Sequence, residues 1–397
     1  MNISGIHDCY GCGVCAVVCP HNIIQIKLNK DGFYEPYIKN SSKCINCGLC
    51  IDVCSYSHND IALNITKFNC YSGWSKDEKI RKLSSSGGFS FELGKMLINQ
   101  GYKICGVKYN NIKNRAEHYI ATNFEELALS IGSKYMQSYT LNAFTSINIK
   151  EKYLVIGTPC QIDSFRRYIK KFRCENNFIL MDFFCHGVPS IYLWKKYIKN
   201  IQNLTGDILY ASWRNKFESY KERIDYINCN QQPNNKINWH DSYNIIIKGT
   251  KGNYVSKMSN GDMFYKFFLN DLCLGKACYE HCRFKRTNSS ADIRIGDAWG
   301  HHFEKDVDGV NAIITFTDKG TDLINNCNCQ IVQQSVEVIT EFQMKDNPVI
   351  HTDRNKIIFA LKKNISWKNI FLIMKISRKL RRLRDKMFNL YMLTVNL

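Results

Sequence analysis

The sequence predicts an α/β chain, α+β overall, with a small cysteine-rich module first, a large α/β unit second and a basic helix last. Eight cysteines crowd the first 54 residues in two copies of one spacing. Beyond about Ile65, short apolar runs alternate with amphipathic stretches, as where strands alternate with helices. After residue 370, apolar residues recur at three- and four-residue steps with basic residues between them. The expected divisions are 1–65, 66–345 and 346–397, in keeping with the two or three domains that 397 residues suggest.

The spacing C-x2-C-x2-C-x3-C occurs at Cys9, Cys12, Cys15 and Cys19, and again at Cys44, Cys47, Cys50 and Cys54. It is that of a two-cluster 4Fe-4S module of the bacterial ferredoxin type, in which the fourth cysteine of each run ligates the other cluster. The expected sets are Cys9, Cys12, Cys15 and Cys54, and Cys44, Cys47, Cys50 and Cys19. Gly13 and Gly48 hold the same place in each run, so the module reads as a duplicated half. Pro20 follows the first run, but Ser55 stands where a second proline is expected, a change that should loosen that loop without removing a ligand. Structural zinc also uses Cys-x2-Cys pairs, but it stops at four ligands per site. Residues 23–28 and 33–38 flank Asn29-Lys30-Asp31-Gly32, a hairpin that would set the two loops face to face.

Composition narrows the class. Nineteen cysteines would mean disulfides in a small secreted domain, whereas this long chain begins with a metal motif and lacks a charged and apolar leader. Reduced thiols and a cytoplasmic location are therefore expected. No run of 18 apolar residues is present, so no membrane-spanning helix is expected. The formal charge of +19 suggests nucleic acid, but seven basic residues against Asp385 fall between 375 and 386, and each oxidised cluster with four thiolates carries about two negative charges. No nucleic-acid motif accompanies the charge, and no such partner is expected.

In the large unit, Ser84-Ser85-Ser86-Gly87-Gly88 precedes Phe89, Leu93, Met96 and Leu97, spaced for one helix face closed by Gly101. Backbone N–H groups at such a start suit phosphate, and ordinary capping explains the same residues. Residues 103–109 read as a strand. Asn123 and Glu126 open a helix that runs to Gly132-Ser133-Lys134-Tyr135, an exposed or binding loop. Two strand-loop-helix units follow. The strand 153–156 meets Gly157-Thr158-Pro159-Cys160 and a helix with Ile162, Phe165, Ile169 and Phe172 inward; 178–184 meets Cys185-His186-Gly187-Val188-Pro189-Ser190 and a helix from Ile191. Cys160 and His186 thus fall at carboxyl ends of neighbouring strands, where open α/β sheets bind ligands. Cys273, Cys278 and Cys282 suggest a further cluster or zinc, with scattered packing cysteines as the alternative. Cys185 is the first candidate for a fourth ligand and Cys160 the second.

Ser86-Gly87-Gly88, Gly132-Ser133-Lys134-Tyr135, Gly157-Thr158-Pro159-Cys160, 185–190 and 292–300 together resemble the beta-subunit family of the coenzyme F-420 hydrogenases and dehydrogenases. The resemblance runs from Cys9 to about Thr317. It implies a non-covalent FAD, a third 4Fe-4S cluster in the large unit and electron exchange between clusters and flavin. It places Ser86, Gly87 and Gly88 near the FAD phosphates with Lys134 supplying charge, and Gly157, Thr158, Pro159 and His186 around the flavin or substrate. Cys278-x3-Cys282 is one residue longer than the family's usual spacing, so its ligand set does not carry over directly.

A flavin oxidoreductase results, taking electrons from ferredoxin or another low-potential donor and passing a hydride to a small-molecule acceptor. That acceptor would be a coenzyme F-420-like deazaflavin or an unsaturated or polysaccharide precursor. His186 is the candidate general acid, with Cys160 as an alternative proton donor. The other reading is a non-catalytic electron-transfer subunit that feeds a partner chain. In the tail, Ile373, Ile376, Leu380, Leu383, Met387 and Leu390 form an apolar stripe among basic residues. Such a helix suits an anionic membrane surface, placing the protein peripherally at the inner membrane face, and equally suits docking on its own domain or a partner.

Overall fold

The computed structural model describes residues 2–229, 231–233 and 237–395, with backbone alone from 385 onward. The cysteine module is organised by its hairpin. Strand β1 (Ile24–Leu28) pairs antiparallel with β2 (Tyr34–Ile38), Ile24 opposite Ile38 and Leu28 opposite Tyr34. Asn29 closes the turn, its Oδ1 accepting from the N–H groups of Asp31 and Phe33, each at 3.0 Å. Gly13 and Gly48 both adopt left-handed backbone, φ 78° and 79°, and start the one-turn helices Val14–Val17 and Leu49–Asp52.

Ser55 departs from expectation. Its N–H, which a proline would lack, donates to Ser164 Oγ at 3.0 Å, and its carbonyl accepts from Arg283 Nη2 at 2.6 Å. The serine is fully buried and fastens its loop instead of loosening it. More of the module is tied down in the same way. Val14, Ile24, Ile26 and Val53 share one apolar cluster with Phe144, Phe165 and Leu180. Gln137 accepts from Tyr34 N–H at 2.8 Å and donates to the Tyr10 carbonyl at 3.0 Å. The core is therefore continuous across residue 65.

The large unit is built from β3 (Asn69–Ser75), β4 (Lys103–Asn110), β5 (Arg115–Ala121), β6 (Tyr153–Ile156), β7 (Phe178–Phe183), β8 (Ile208–Ser212), β9 (Asn244–Gly249), β10 (Asn253–Lys257), β11 (Ile293–Asp297), β12 (Asn311–Thr315) and β13 (Cys329–Gln334). Eight of these form one sheet in the order β13-β3-β12-β11-β7-β6-β4-β5, while β10-β9-β8 form a smaller antiparallel one. The middle of the large sheet, β4-β6-β7-β11, is parallel, and its flanks are antiparallel. Strands β6 and β7 are almost wholly buried, which accounts for their uninterrupted apolar sequences.

The helix after β6, Pro159–Lys171, starts where Gln161 Oε1 accepts from Thr158 N–H at 2.9 Å, with proline in its first turn. Ile162, Phe165 and Ile169 are buried as expected. Phe172 is not: it caps the helix and is 43% exposed. Asn123 does accept from Glu126 N–H, at 2.8 Å, though its helix ends at Ala128, short of Gly132. Arg294 on β11 makes two 2.7 Å bonds to Asp182 on β7, both side chains fully buried. Breaking such a pair typically costs about 3–5 kcal/mol. The last helix, Trp367–Val395, docks on the large unit through Ile370 and Phe371. The expected stripe positions Met387 and Leu390, like the basic residue Lys386, lie outside the described side chains. Among the described residues no helix is long and apolar enough to cross a membrane.

Candidate functional site

The structure brings the N-terminal thiols into the two interlocked groups. Burial pushes the Cys12 thiol up to about 11, and the neighbouring Cys54 thiol acts in the same direction. Burial likewise raises Cys9 and Cys15, and both feel Cys12 and Cys54. Cys19, Cys44, Cys47 and Cys50 line one surface hollow. Crowded thiols that resist ionising singly are suited to a core that accepts four thiolates and releases their protons. Among the described residues no three ligating side chains close around a single ion.

A third thiol group forms in the large unit, with a membership that differs from the expectation. Burial raises Cys160 well above the ordinary thiol range, and the Cys185, Cys278 and Cys282 thiols beside it add to the effect. Burial pushes Cys185 up to about 11 and Cys278 up to about 12, again with neighbouring cysteines contributing. Cys273 is not in this group. It is fully buried in the apolar cluster with Leu193 and Phe267, and the charges acting on it are Arg354 and Asp271. Its backbone explains the placement: the Cys273 carbonyl accepts from Ser190 N–H at 2.9 Å, and Leu274 bridges to Pro189. Cys278 lies in a turn of helix, Lys276–Glu280, and Cys282 follows just after it.

Beside this group opens a cavity of about 480 Å³, within the roughly 300–1,000 Å³ usual for small-molecule and cofactor sites. It lies beyond the carboxyl ends of β6, β7 and β11, and its wall includes Ser86, Gly88, Gly157, Thr158, Cys185 and His186. Gly87 and Pro159 do not line it. A Cβ on Gly87 would come within 2.6 Å of the Gly73 carbonyl, so this glycine allows β3 and the loop to touch. Pro159 is buried at its helix start.

Lys134 borders the cavity, yet its Nζ donates to the carbonyls of Ser130, Ile131 and Gly132 at 2.7, 3.1 and 2.9 Å. Burial, with Arg223 nearby, lowers its pKa to about 7. It locks the loop and offers a ligand little charge. The 84–88 loop is secured from beneath, where Lys216 Nζ donates to the Arg81 and Ser86 carbonyls, each at 2.8 Å.

His186 Nε2 stands 2.8 Å from Asp271 Oδ1, but off the line of a hydrogen bond. Its ring meets Phe268 edge-on at 4.9 Å. Lys285 Nζ donates to the Cys185 and His186 carbonyls at 2.9 and 3.3 Å, fixing the loop that carries both. Arg294 Nη1 holds the carbonyls of Phe284 and Arg286 at 3.1 and 2.6 Å. One buried guanidinium thus ties β7 to the loop after Cys282.

Sequence reasoning alone does not point to Arg214, Tyr243 or Trp299 as individual site residues. The Tyr243 and Trp299 rings stack 6.0 Å apart on the cavity wall, with the Arg214 guanidinium 4.3 Å from the first ring and 5.1 Å from the second. Arg214 also pairs with Asp297 at 2.8 Å. Asp297 and Trp299 fall in the 292–300 motif; Arg214 and Tyr243 belong to no local pattern.

Residues 8–57 match the 4Fe-4S dicluster domain. Residues 150–338 match the family described as the C terminus of the Coenzyme F420 hydrogenase/dehydrogenase beta subunit. No curated protein matches the chain. Among solved structures it is similar to a chain from the F420-reducing [NiFe] hydrogenase complex of Methanosarcina barkeri, at 14% identity and TM-score 0.45, covering 78% of this chain and 91% of that one. Interlocked N-terminal thiols and a cavity-bearing sheet match two known parts in order: the chain is an iron-sulfur protein that joins a 4Fe-4S dicluster domain to a C-terminal domain of the coenzyme F-420 hydrogenase/dehydrogenase beta-subunit family.

Proposed function

We propose that this chain is an iron-sulfur flavin oxidoreductase fed by a low-potential donor such as ferredoxin. The observation that carries the reading is a shared wall: Cys185 belongs to the third thiol group and lines the cavity, with His186 next to it. Cys160, Cys185, Cys278 and Cys282 would hold a third 4Fe-4S cluster, and the cavity would hold FAD. The cavity offers what a dinucleotide with a planar ring needs: a serine- and glycine-lined helix start for phosphate and a stacked aromatic wall. FAD, when bound, links one-electron donors such as iron-sulfur clusters to two-electron reduction of a small molecule.

The chain's own residues prepare that chemistry. The Lys285 and Arg294 bonds brace the chain next to Cys185 and Cys282, and would hold a bound cluster in place beside the cavity. His186, set against Asp271, is the candidate proton donor to the acceptor. Tyr10, between Cys9 and Cys12, packs against Cys160 and Cys282, and its hydroxyl donates to the His281 carbonyl. The group containing Cys9 and Cys12 therefore abuts the third group, while the one containing Cys47 faces outward.

Anaerobic purification followed by iron, sulfide and flavin analysis tests the reading. About twelve irons and one FAD per chain are expected, as for three cubanes; about eight irons would remove the third cluster, and absent flavin would remove the cavity's assignment. Cys185→Ala should lower iron to about eight, whereas Cys273→Ala should leave about twelve. Unchanged turnover in His186→Ala would end that residue's role. Lack of any small-molecule reduction by the isolated, fully loaded chain would favour a subunit that only relays electrons.

A further inference from the structure

Over its described side chains, residues 367–384, the C-terminal helix Trp367–Val395 has two apolar faces, and only one is docked. On the docked side, Trp367 and Phe371 meet Phe267 at ring distances of 5.1 and 5.6 Å, and Ile370 is fully buried. Lys356 Nζ donates to Ser377 Oγ at 2.7 Å. Arg381 binds both oxygens of Asp353, at 2.8 and 3.0 Å. These contacts recur at helical spacing along one side and fix the rotation of the helix about its axis.

The opposite side carries Leu372, Ile376, Leu380 and Leu383, at steps of four, four and three residues. They are 51%, 50%, 60% and 48% exposed. Three of the four belong to the stripe expected from sequence, so between Ile376 and Leu383 that stripe faces away from the domain. Lys368, Lys375, Lys379 and Arg382 run along one edge of the row, all exposed. No aspartate or glutamate occurs between residues 367 and 384. A solvated helix face has no use for a row of four large aliphatic side chains.

We propose that this face is a docking surface for an anionic lipid bilayer, on which the helix lies in the plane of the interface. The aliphatic row suits the headgroup and acyl boundary, and the flanking cations suit lipid phosphates, their carbon stems covering further apolar surface. No window of the described helix is long and apolar enough to span, which leaves the interfacial orientation. Charge argues against a second copy of this chain as the occupant. A symmetric pair would press two cationic rows together without a carboxylate between residues 367 and 384 to offset them.

The test uses the full, cluster-loaded chain sedimented with vesicles of phosphatidylcholine alone or mixed with phosphatidylglycerol. Binding only to the anionic vesicles, weakened by salt, is expected. Leu380→Ser with Leu383→Ser, and separately Lys375→Glu with Lys379→Glu and Arg382→Glu, should each lower the partition coefficient at least about tenfold. None of these side chains makes a docking contact, so the visible cluster spectrum should be unchanged and would confirm folding. Failure of the wild type to sediment with anionic vesicles, or equal binding by both variants, would overturn the proposal. So would a wild-type dimer in sedimentation velocity that the double serine variant dissociates, because the row would then be covered by a second copy.

Discussion

The two cysteine loops share spacing, glycine and backbone conformation, but their surroundings are opposite. Around Gly13 the large unit closes in: a Cβ there would sit 2.5 Å from Thr140 Oγ1, the hydroxyl that donates to the Cys12 carbonyl at 2.7 Å. Around Gly48 there is nothing within 4 Å. Cys12 and Cys15 are buried, whereas Cys47 is exposed. Duplication therefore supplied the ligand geometry twice, and packing against the large unit separated an inner position from an outer one. The inner loop faces the third thiol group through Tyr10; the outer loop, on the proposed function, is where a donor protein would approach.

The largest expected difference comes from the paired glycines. Alanine at either position must adopt the left-handed backbone, costing about 1–2 kcal/mol. At Gly13 the added methyl also displaces Thr140 and orphans a buried carbonyl, a further cost of about 1–3 kcal/mol. Anaerobic denaturant titration should thus show Gly13→Ala losing clearly more than Gly48→Ala. Equal losses would mean the contact with Thr140 carries no weight and the contrast between the loops is only skin deep.

Next in size is the residue after each run. Ser55→Pro removes the N–H that reaches Ser164 and should cost roughly 1–3 kcal/mol. Pro20→Ser, at an exposed position, should stay within about 0.5 kcal/mol. A neutral or stabilising Ser55→Pro would instead support the view that the serine loosens its loop. A kinetic contrast follows from exposure. Under a chelator, iron should leave in two phases, the faster one from Cys19, Cys44, Cys47 and Cys50. Variants at Cys47 should abolish the fast phase and retain the slow one, as followed by the cluster absorbance; a single phase in the wild type would count against an inner and an outer position.

Much of this was legible from local pattern. The hairpin over Asn29, the glycines at 13 and 48 and the buried strands β6 and β7 are set by neighbours in sequence, and the carboxyl-end placement of Cys160 and His186 follows from them. What escaped was set by convergence. Cys273 is close to Cys278 along the chain, but its carbonyl bond to Ser190 turns it into the core, and Cys160, expected only as the second candidate for a fourth ligand, stands beside Cys185, Cys278 and Cys282 instead. Tyr243 reaches the cavity wall, with Arg214 against its ring, from the region of the small β8–β9–β10 sheet, whose relation to the large sheet no periodicity encodes. Ser55 reads as a missing proline until Ser164 is seen beside it. Likewise the stripe in the last helix was visible, but not which side the domain takes.

The last contrast sets a local anchor in the outer loop against a buried one in the inner. Asn40 caps the short turn Ser41–Lys43 that leads into Cys44, its Oδ1 accepting from Ser42 N–H at 3.2 Å and Ser42 Oγ at 2.6 Å. All the partners are local and exposed, so water replaces the lost bonds and Asn40→Ala should cost only about 0.5–1 kcal/mol. The inner counterpart of such an anchor is Gln137, whose two bonds bridge buried backbone at Tyr10 and Tyr34. Its alanine variant leaves two buried groups unpaired, each worth about 1–3 kcal/mol. If Asn40→Ala proved as damaging as Gln137→Ala, the outer loop would have to be held by something beyond its own turn. The outer loop's other tie, the 3.3 Å bond from Asn2 Nδ2 to Asn46 Oδ1, is likewise exposed to water.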